Sequence, residues 1–316
     1  MKRVFIVGGC GFVGSHLVKR LIAERVEVAV YDNLSSGKLE WLPQDPCATA
    51  YFYNGHAQDG DRLRVVMEEA KPDTVFHLAA NPDIARAVTE PTIDFDQGTV
   101  LTKNVLEAMR ENGVKRLVYF SGSGVYGDCG TTPLRESHPC APVSTYGASK
   151  LASEAMIQAY CAMFGLTARI FRPANIVGPR QTHGVGYDFL RKLKADPTRL
   201  QILGNGRQSK SYIHVDDVVS AVLRGLADPR NCAVYNLATD DYLTVYEIAV
   251  MAADLVCGEM APCDFQYTGG DRGWLGDVPV VRFDCRAIRA LGWLPGRNSA
   301  QAMRDALTAM WEELKS

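Results

Sequence analysis

The stretch Val4-Phe5-Ile6-Val7-Gly8-Gly9-Cys10-Gly11-Phe12-Val13-Gly14 decides how the rest of the chain is read. Its opening apolar run predicts a strand buried on both faces, because a half-exposed strand would alternate with polar positions. The run passes directly into Gly-x-x-Gly-x-x-Gly, with Gly8, Gly11 and Gly14 in register, and a helical pattern over 12–25 follows. Glycine permits a tight turn, lets the backbone approach a pyrophosphate and allows close helix–strand packing. The amides that open the helix then hold the anion. Structural turns also favour glycine, so context gives this one its meaning. Asp32 ends the next strand about 20 residues on, where a carboxylate takes the adenosine ribose hydroxyls. The same charge repels a 2′-phosphate, so the sequence points to NAD rather than NADP.

Strand patterns at 4–7, 27–31, 50–53, 74–78, 117–121 and 168–171 alternate with helical patterns at 12–25, 61–70, 99–112 and 145–164. This alternation predicts an α/β fold, a Rossmann-type doubly wound parallel sheet covered by helices on both faces. After Pro173 the pattern loosens. Gly and Pro punctuate 173–213, helices recur near 214–228 and 244–257, 259–283 is irregular, and a last helix fits 299–315. The expected organisation is an NAD-binding domain over 1–173 and a smaller α/β substrate lobe over 174–316. Segments at about 205–240 are expected to return to the first domain.

Composition excludes several classes. The 316 residues carry 34 Lys and Arg against 36 Asp and Glu, a net charge of −2, with 47% hydrophobic and 22% charged residues. That balance is globular, and it leaves no electrostatic footprint for nucleic acid or an anionic membrane. A chain this long buries roughly three quarters of its unfolded surface and needs no disulfide or metal staple. The 9 cysteines form no CxxC pair and no Cys/His cluster, which predicts free thiols in a reducing compartment and no metal site. The N-terminal apolar run is too short for a signal peptide or a membrane span, so the expected location is the cytoplasm.

Tyr146-Gly147-Ala148-Ser149-Lys150 falls near the start of the helical pattern 145–164. Residues i and i+4 share a helix face, so the Tyr hydroxyl and the Lys ammonium can reach one ligand. A free Tyr has a pKa near 10, and making it a base near pH 7 requires roughly 4 kcal/mol of stabilisation. A nearby Lys cation and a positive nicotinamide act in that direction.

Further runs complete the pattern. They are Asp32-Asn33-Leu34-Ser35-Ser36-Gly37, His77-Leu78-Ala79-Ala80, and Tyr119-Phe120-Ser121-Gly122-Ser123-Gly124-Val125-Tyr126-Gly127-Asp128. Beyond them lie Arg172-Pro173-Ala174-Asn175-Ile176-Val177-Gly178-Pro179-Arg180 and Gly204-Asn205-Gly206-Arg207-Gln208-Ser209-Lys210-Ser211-Tyr212-Ile213-His214-Val215-Asp216-Asp217. Almost end to end, the chain resembles the extended short-chain dehydrogenase/reductase family, and within it the UDP-glucose and other nucleotide-sugar 4-epimerases.

The resemblance implies an isomerase that takes a UDP-hexose or UDP-uronic acid through a transient 4-keto sugar. Tyr146 is then the acid–base group and Lys150 also holds the nicotinamide ribose. The implied cofactor contacts are Gly8, Gly11, Phe12, Val13, Gly14, Asp32, Asn33, Ser35, Ser36, Gly37, His56, Ala57, Leu78, Ala79, Ala80, Ser121, Tyr146, Lys150 and Pro173. The implied substrate contacts are Ser123, Tyr146, Asn175, His183, Gly184, Val185, Lys210, Tyr212 and Arg272. Arg272, in Gly270-Asp271-Arg272-Gly273-Trp274-Leu275-Gly276-Asp277, looks like a diphosphate clamp, its fork matching phosphate oxygens. His77 reads as a satisfied structural residue beside the cofactor. Helical faces at 99–112 and 145–164 fit a homodimer as in the family, or an internal core.

The chain departs from the family pattern at three places. A catalytic Ser or Thr is expected three residues before Val125, and the position holds Gly122; Ser121 or Ser123, turned inward, or a water would have to substitute. Gly55-His56-Ala57 stands where Gly-Asp-Ile is usual, and Gly98 stands where Asn is usual. Dehydratase relatives carry Thr-Asp-Glu at the first of these places, and Gly122-Ser123-Gly124 lacks both carboxylates. A dehydratase or reductase with a rearranged site, and a non-catalytic NAD-binding sensor, are the alternatives.

Overall fold

The computed structural model describes residues 1–43, 50–81, 84–258 and 262–315, so Cys47 lies outside the described residues. Strands β1 (Arg3–Val7), β2 (Glu27–Asp32), β3 (Ala50–Asn54), β4 (Thr74–His77) and β5 (Arg116–Phe120) join Thr167–Pro173 and Cys232–Leu237 in one 7-stranded sheet. From one edge the order is Cys232–Leu237, Thr167–Pro173, β5, β4, β1, β2, β3. The ladders from β3 through β1 and β4 to Thr167–Pro173 are parallel. This is the expected Rossmann-type α/β sheet. Val4, Phe5, Ile6 and Val7 are all buried, as an unbroken apolar run on a two-faced central strand requires.

The chain progresses outward from β1 to β3 and then returns to place β4 on the other side of β1. A crevice for a ligand forms at the carboxyl ends of strands where the direction of winding reverses. Here those ends are Val7-Gly8 and His77-Leu78.

The chain forms two compact units. The first comprises 1–125, 145–172 and 222–235, and the second 126–144, 173–221 and 236–316. In the first, α2 (Gly60–Ala70), α3 (Leu101–Glu111) and α4 (Thr145–Phe164) contribute Leu63, Met67, Val105, Met109 and Ile157 to a core that includes Phe5 and Leu117. Helix α1 (Phe12–Ala23) follows the glycine turn after β1, with Leu17, Val18 and Leu21 buried. Helix α5 (Val185–Ala195) lies in the second unit, and α6 (Val215–Gly225) is shared, its residues to 221 in the second and the rest in the first. Helices α5, α7 (Val245–Cys257) and a last helix Ser299–Lys315 supply the second unit's apolar cluster.

Several local expectations are corrected. The segment 173–213 contains α5, which its glycines conceal. Gly186 lies inside that helix, and a Cβ there would stand only 3.2 Å from Leu307 Cδ2, so glycine lets two helices approach. Val185 opens the helix. The pattern at 99–112 begins earlier, as a π-helical turn over Phe95–Val100 that runs into α3. Irregular 259–283 holds the strands Asp264–Tyr267 and Arg282–Phe283. No helix among the described residues is long and apolar enough to cross a membrane.

One buried ion pair ties α4 to the sheet. Arg172 Nη2 and Nε donate to Glu154 at 2.6 and 2.9 Å, and both side chains are at most 5% exposed. Removing one partner of such a pair strands the other charge in the interior, which costs about 3–5 kcal/mol. Glu154→Ala is expected to lower the unfolding free energy in urea by that amount; an unchanged midpoint would contradict the role given to the pair.

Candidate active site

The glycine turn is built by close approach. Gly8 has φ +84°, and a Cβ on it would stand 2.7 Å from the Ala79 backbone nitrogen. A Cβ on Gly14 would stand 2.2 Å from the Gly8 carbonyl oxygen, so α1 can lie against the turn only without side chains at these positions. Gly11 differs, since its Cβ would meet nothing nearer than the Gly8 carbonyl at 3.5 Å. It is the N-cap of α1 and makes no side-chain capping bond, leaving the amides that open the helix for an anion.

Asp32 serves the turn directly. Its carboxylate accepts from Cys10 N at 2.9 Å and Leu34 N at 2.8 Å, joining the end of β2 to the glycine turn. Gly37 closes the loop over the same turn, because a Cβ there would meet Cys10 C and O at 2.5 Å. A cavity at this end of the sheet is lined by the expected Gly8, Asp32, Asn33, Ser35, His56, Ala57, Ala79 and Ala80. Phe12 and Val13 open α1 beside it, Ser36 and Leu78 lie in its bordering segments, and Pro173 ends its own strand. The sequence reading misses Tyr31, Gly55, Gln97 and Leu101, which also line the cavity. Gly55 stands in the Gly55-His56-Ala57 run already singled out, and a Cβ there would strike the Tyr31 hydroxyl at 2.3 Å. Gln97 had none, because it enters on the π-helical turn.

Tyr146 and Lys150 share a face of α4, with Lys150 Nζ 5.6 Å from the Tyr146 ring centre and 5.1 Å from that of Tyr119. Lys150 Nζ donates to the Phe120 carbonyl at 2.7 Å. Burial pulls Lys150 down to about 8, against the upward pull of Glu154 and Asp94. Burial pushes Tyr146 up to about 12, and the Asp94 charge adds to it. In the chain's own field, then, the Tyr146 shift runs opposite to the one expected from Lys150 alone. His77 is also corrected. Its Nε2 pairs with Thr102 Oγ1 at 3.1 Å, but its buried Nδ1 has no partner, and burial and Lys150 hold it neutral by lowering its pKa to about 3.

A Cβ on Gly122 would have one neighbour, Tyr146 Cε1, at 4.0 Å. The missing side chain therefore leaves open space in front of the Tyr146 ring. Ser121 does not fill it, because its buried hydroxyl donates to Glu154 Oε1 at 2.5 Å. Ser123 opens a short 3-10 turn over Ser123–Val125 and is half-buried.

In the second unit, the strands Asn175–Val177 and Tyr212–His214 pair in parallel and put Tyr212 beside Asn175. The Tyr212 hydroxyl bonds the Asn175 side chain, and burial, then Asp277, raises its pKa. Asp277 gathers the neighbouring cations. Lys210 Nζ donates to its Oδ1 at 2.6 Å, Gly273 N to its Oδ2 at 3.1 Å, and Arg272 Nη1 to its carbonyl. Arg272 Nη2 donates to Asp128 at 2.8 Å. Asp277 and Asp128 are absent from the sequence reading although both stand inside runs it quotes. His183 and Gly184 are exposed at the approach to α5, where Gln181 Nε2 donates to the His183 carbonyl.

Comparison with known proteins bears on this arrangement. Residues 4–238 match the NAD dependent epimerase/dehydratase family. The chain belongs to that family. A UDP-glucose 4-epimerase of Mycolicibacterium smegmatis is 34% identical over 300 residues, covering 93% of each chain. A UDP-galactose 4-epimerase structure superposes with a TM-score of 0.88 at 35% identity, covering 99% of both. The UDP-glucose 4-epimerase of Thermus thermophilus in complex with NAD gives 0.86 at 31%, covering 98% of both.

As a member of the epimerase/dehydratase family the chain is an NAD-dependent enzyme, and the bare cradle at Gly11 fits the cofactor's pyrophosphate. Among the described residues no group of three or more His, Cys, Asp or Glu could hold a metal ion. Gly14→Ala, by forcing α1 off the Gly8 carbonyl, is expected to leave purified protein without bound NAD while preserving its far-ultraviolet circular dichroism. Nucleotide released by acid measures this; full occupancy in the variant would contradict the cradle.

Proposed function

We propose that this chain is an NAD-dependent nucleotide-sugar 4-epimerase acting on a UDP-hexose or UDP-uronic acid. The observation that carries the reading is the Tyr146–Lys150 face, intact beside a Gly122-Ser123-Gly124 segment that has no carboxylate for elimination. The names of the similar proteins point the same way. In this reading the first unit holds NAD and the second supplies the contacts to the nucleotide sugar.

NAD, when bound, would supply the hydride acceptor and donor for C4 of the sugar. Tyr146 Oη accepts the proton of the 4-hydroxyl and later gives it back, a role worth about 10²–10⁴-fold. Its raised pKa makes it a reluctant base, so the cationic Lys150 beside it serves to offset burial and Asp94. With a pKa of about 8, Lys150 carries that charge at neutral pH and loses it as the pH rises past 8. Lys150 also binds the nicotinamide ribose. Ser123, or a water in the space before Gly122, stands in for the missing hydroxyl; Ser121 is left to Glu154. Arg272 and Lys210 take the diphosphate, which must compete with Asp128 and Asp277 for them.

The outward face of α4 supports a homodimer. Ala148, Ala155, Ala159, Ala162 and Met163 are exposed along it, and Met163 is 72% exposed. A second copy covering these positions would remove apolar surface from water.

Proton NMR of UDP-glucose, UDP-galactose, UDP-N-acetylglucosamine and UDP-glucuronate, incubated without added cofactor, tests the reaction. Interconversion at C4, lost about 10²-fold or more in Tyr146→Phe, is the expected result. A 4-keto-6-deoxy product would replace this reading with dehydration, and no change on any sugar would leave an NAD-binding sensor. Gly122→Ser should raise the rate, since the added hydroxyl has room before Tyr146.

A further inference from the structure

Asp94 lies on neither the glycine turn nor α4, yet it touches what holds Tyr146 and Lys150 in place. It precedes the π-helical turn Phe95–Val100 and is 1% exposed. Its Oδ2 accepts from Thr145 Oγ1 at 2.7 Å, and its Oδ1 from Asn81 Nδ2 at 2.8 Å, just beyond β4. Its carbonyl accepts from Ser149 Oγ at 2.6 Å. Thr99 Oγ1 adds a contact to Ser149 Oγ at 3.0 Å.

Thr145 and Ser149 are i and i+4 on α4, and so are Tyr146 and Lys150, one position on. Two adjacent rows of the same helix therefore have different duties. One row is bonded to the π-helical turn, and the other presents the tyrosine and the lysine. A helix held along one row cannot rotate about its axis without breaking those bonds, and rotation is what would re-aim its neighbour row. Gly98 belongs to the same arrangement. A Cβ there would stand 2.2 Å from Ser149 Oγ, so any side chain at 98 would expel that hydroxyl from its bonds.

We propose that Asp94 is a positioning residue for Tyr146 and Lys150, fixing the rotation of α4 through Thr145 and Ser149. The inference rests on the proton-transfer role proposed above for Tyr146. Asp94 is also the anion whose charge, after burial, raises the Tyr146 pKa. The other titratable groups around Tyr146 are Lys150 on its own helix and Tyr119 on β5. Glu154, a turn beyond Lys150, is paired with Arg172.

The test compares Thr145→Val, Thr145→Ser and Asp94→Asn in the full chain with its NAD. Thr145→Val removes the bond to Asp94 at nearly constant volume, and is expected to lower kcat about 10²-fold through misplacement. KM and NAD content should stay within about twofold, and Thr145→Ser, which keeps the hydroxyl, should recover most of the rate. Asp94→Asn keeps an acceptor but removes a charge that raises the Tyr146 pKa, so the acid limb of kcat should move to lower pH. Equal activity of the Val and Ser variants, a kcat loss matched by lost NAD, or an unmoved limb would overturn the proposal. If the unaltered chain epimerises no sugar, the proton-transfer reading fails instead. The placement of Asp94 is then read from tyrosinate absorbance, with Tyr146→Phe as the blank. Tyr146 should ionise at lower pH in Asp94→Asn; an unchanged titration would overturn it.

Discussion

The structure depends on one contact that no side chain could survive, the passage of Gly14 over the Gly8 carbonyl oxygen. With a virtual Cβ at 2.2 Å, that approach brings α1 down onto the carboxyl end of β1. Once it is made, the opening amides of α1 face the crevice where the winding of the sheet reverses. Asp32 and Gly37 close the loop against the same turn, and Gly8 packs on Ala79, just beyond the end of β4. Binding of an anionic cofactor by a chain of charge −2 is thereby a matter of placed backbone dipoles rather than of net charge.

The electrostatics of α4 show why two residues of a short motif are not sufficient for chemistry. Burial raises the pKa of a phenol and lowers that of an ammonium, and both effects act here before any partner is considered. Tyr146 at about 12 and Lys150 at about 8 are thus both moved toward their neutral forms. Asp94 adds to the first shift and resists the second. In the proposed reaction a tyrosine so placed would hold its proton until cations gather at it, which suits a group that must return the proton as readily as it takes it.

The sequence reveals the fold where a pattern is local. Unbroken apolar runs mark the buried parallel strands, and the glycine spacing marks the turn that feeds α1. Helix α5 was hidden because Gly184 and Gly186 resemble loop punctuation, whereas Gly186 serves close packing against the last helix. The π-helical turn has no signature separate from that of α3. Asp94 was invisible for a different reason: its partner Thr145 is 51 positions away, and nothing short-range announces the bond. Ser121 shows the converse. It sits beside the departed hydroxyl position in sequence, but the alternation of the chain turns it to Glu154.

In the proposed reaction a hydride leaves C4 of a nucleotide sugar and returns to the same carbon while Tyr146 handles the hydroxyl proton. The test carries UDP-glucose, UDP-N-acetylglucosamine and UDP-glucuronate, each deuterated at C4, through the protein with its own bound NAD and reads the products by mass spectrometry and NMR. The expected product is the C4 epimer of at least one of them, with the deuterium kept at C4 and none released to water. Loss of the label to solvent during conversion, or a C4 configuration that never changes, would contradict it.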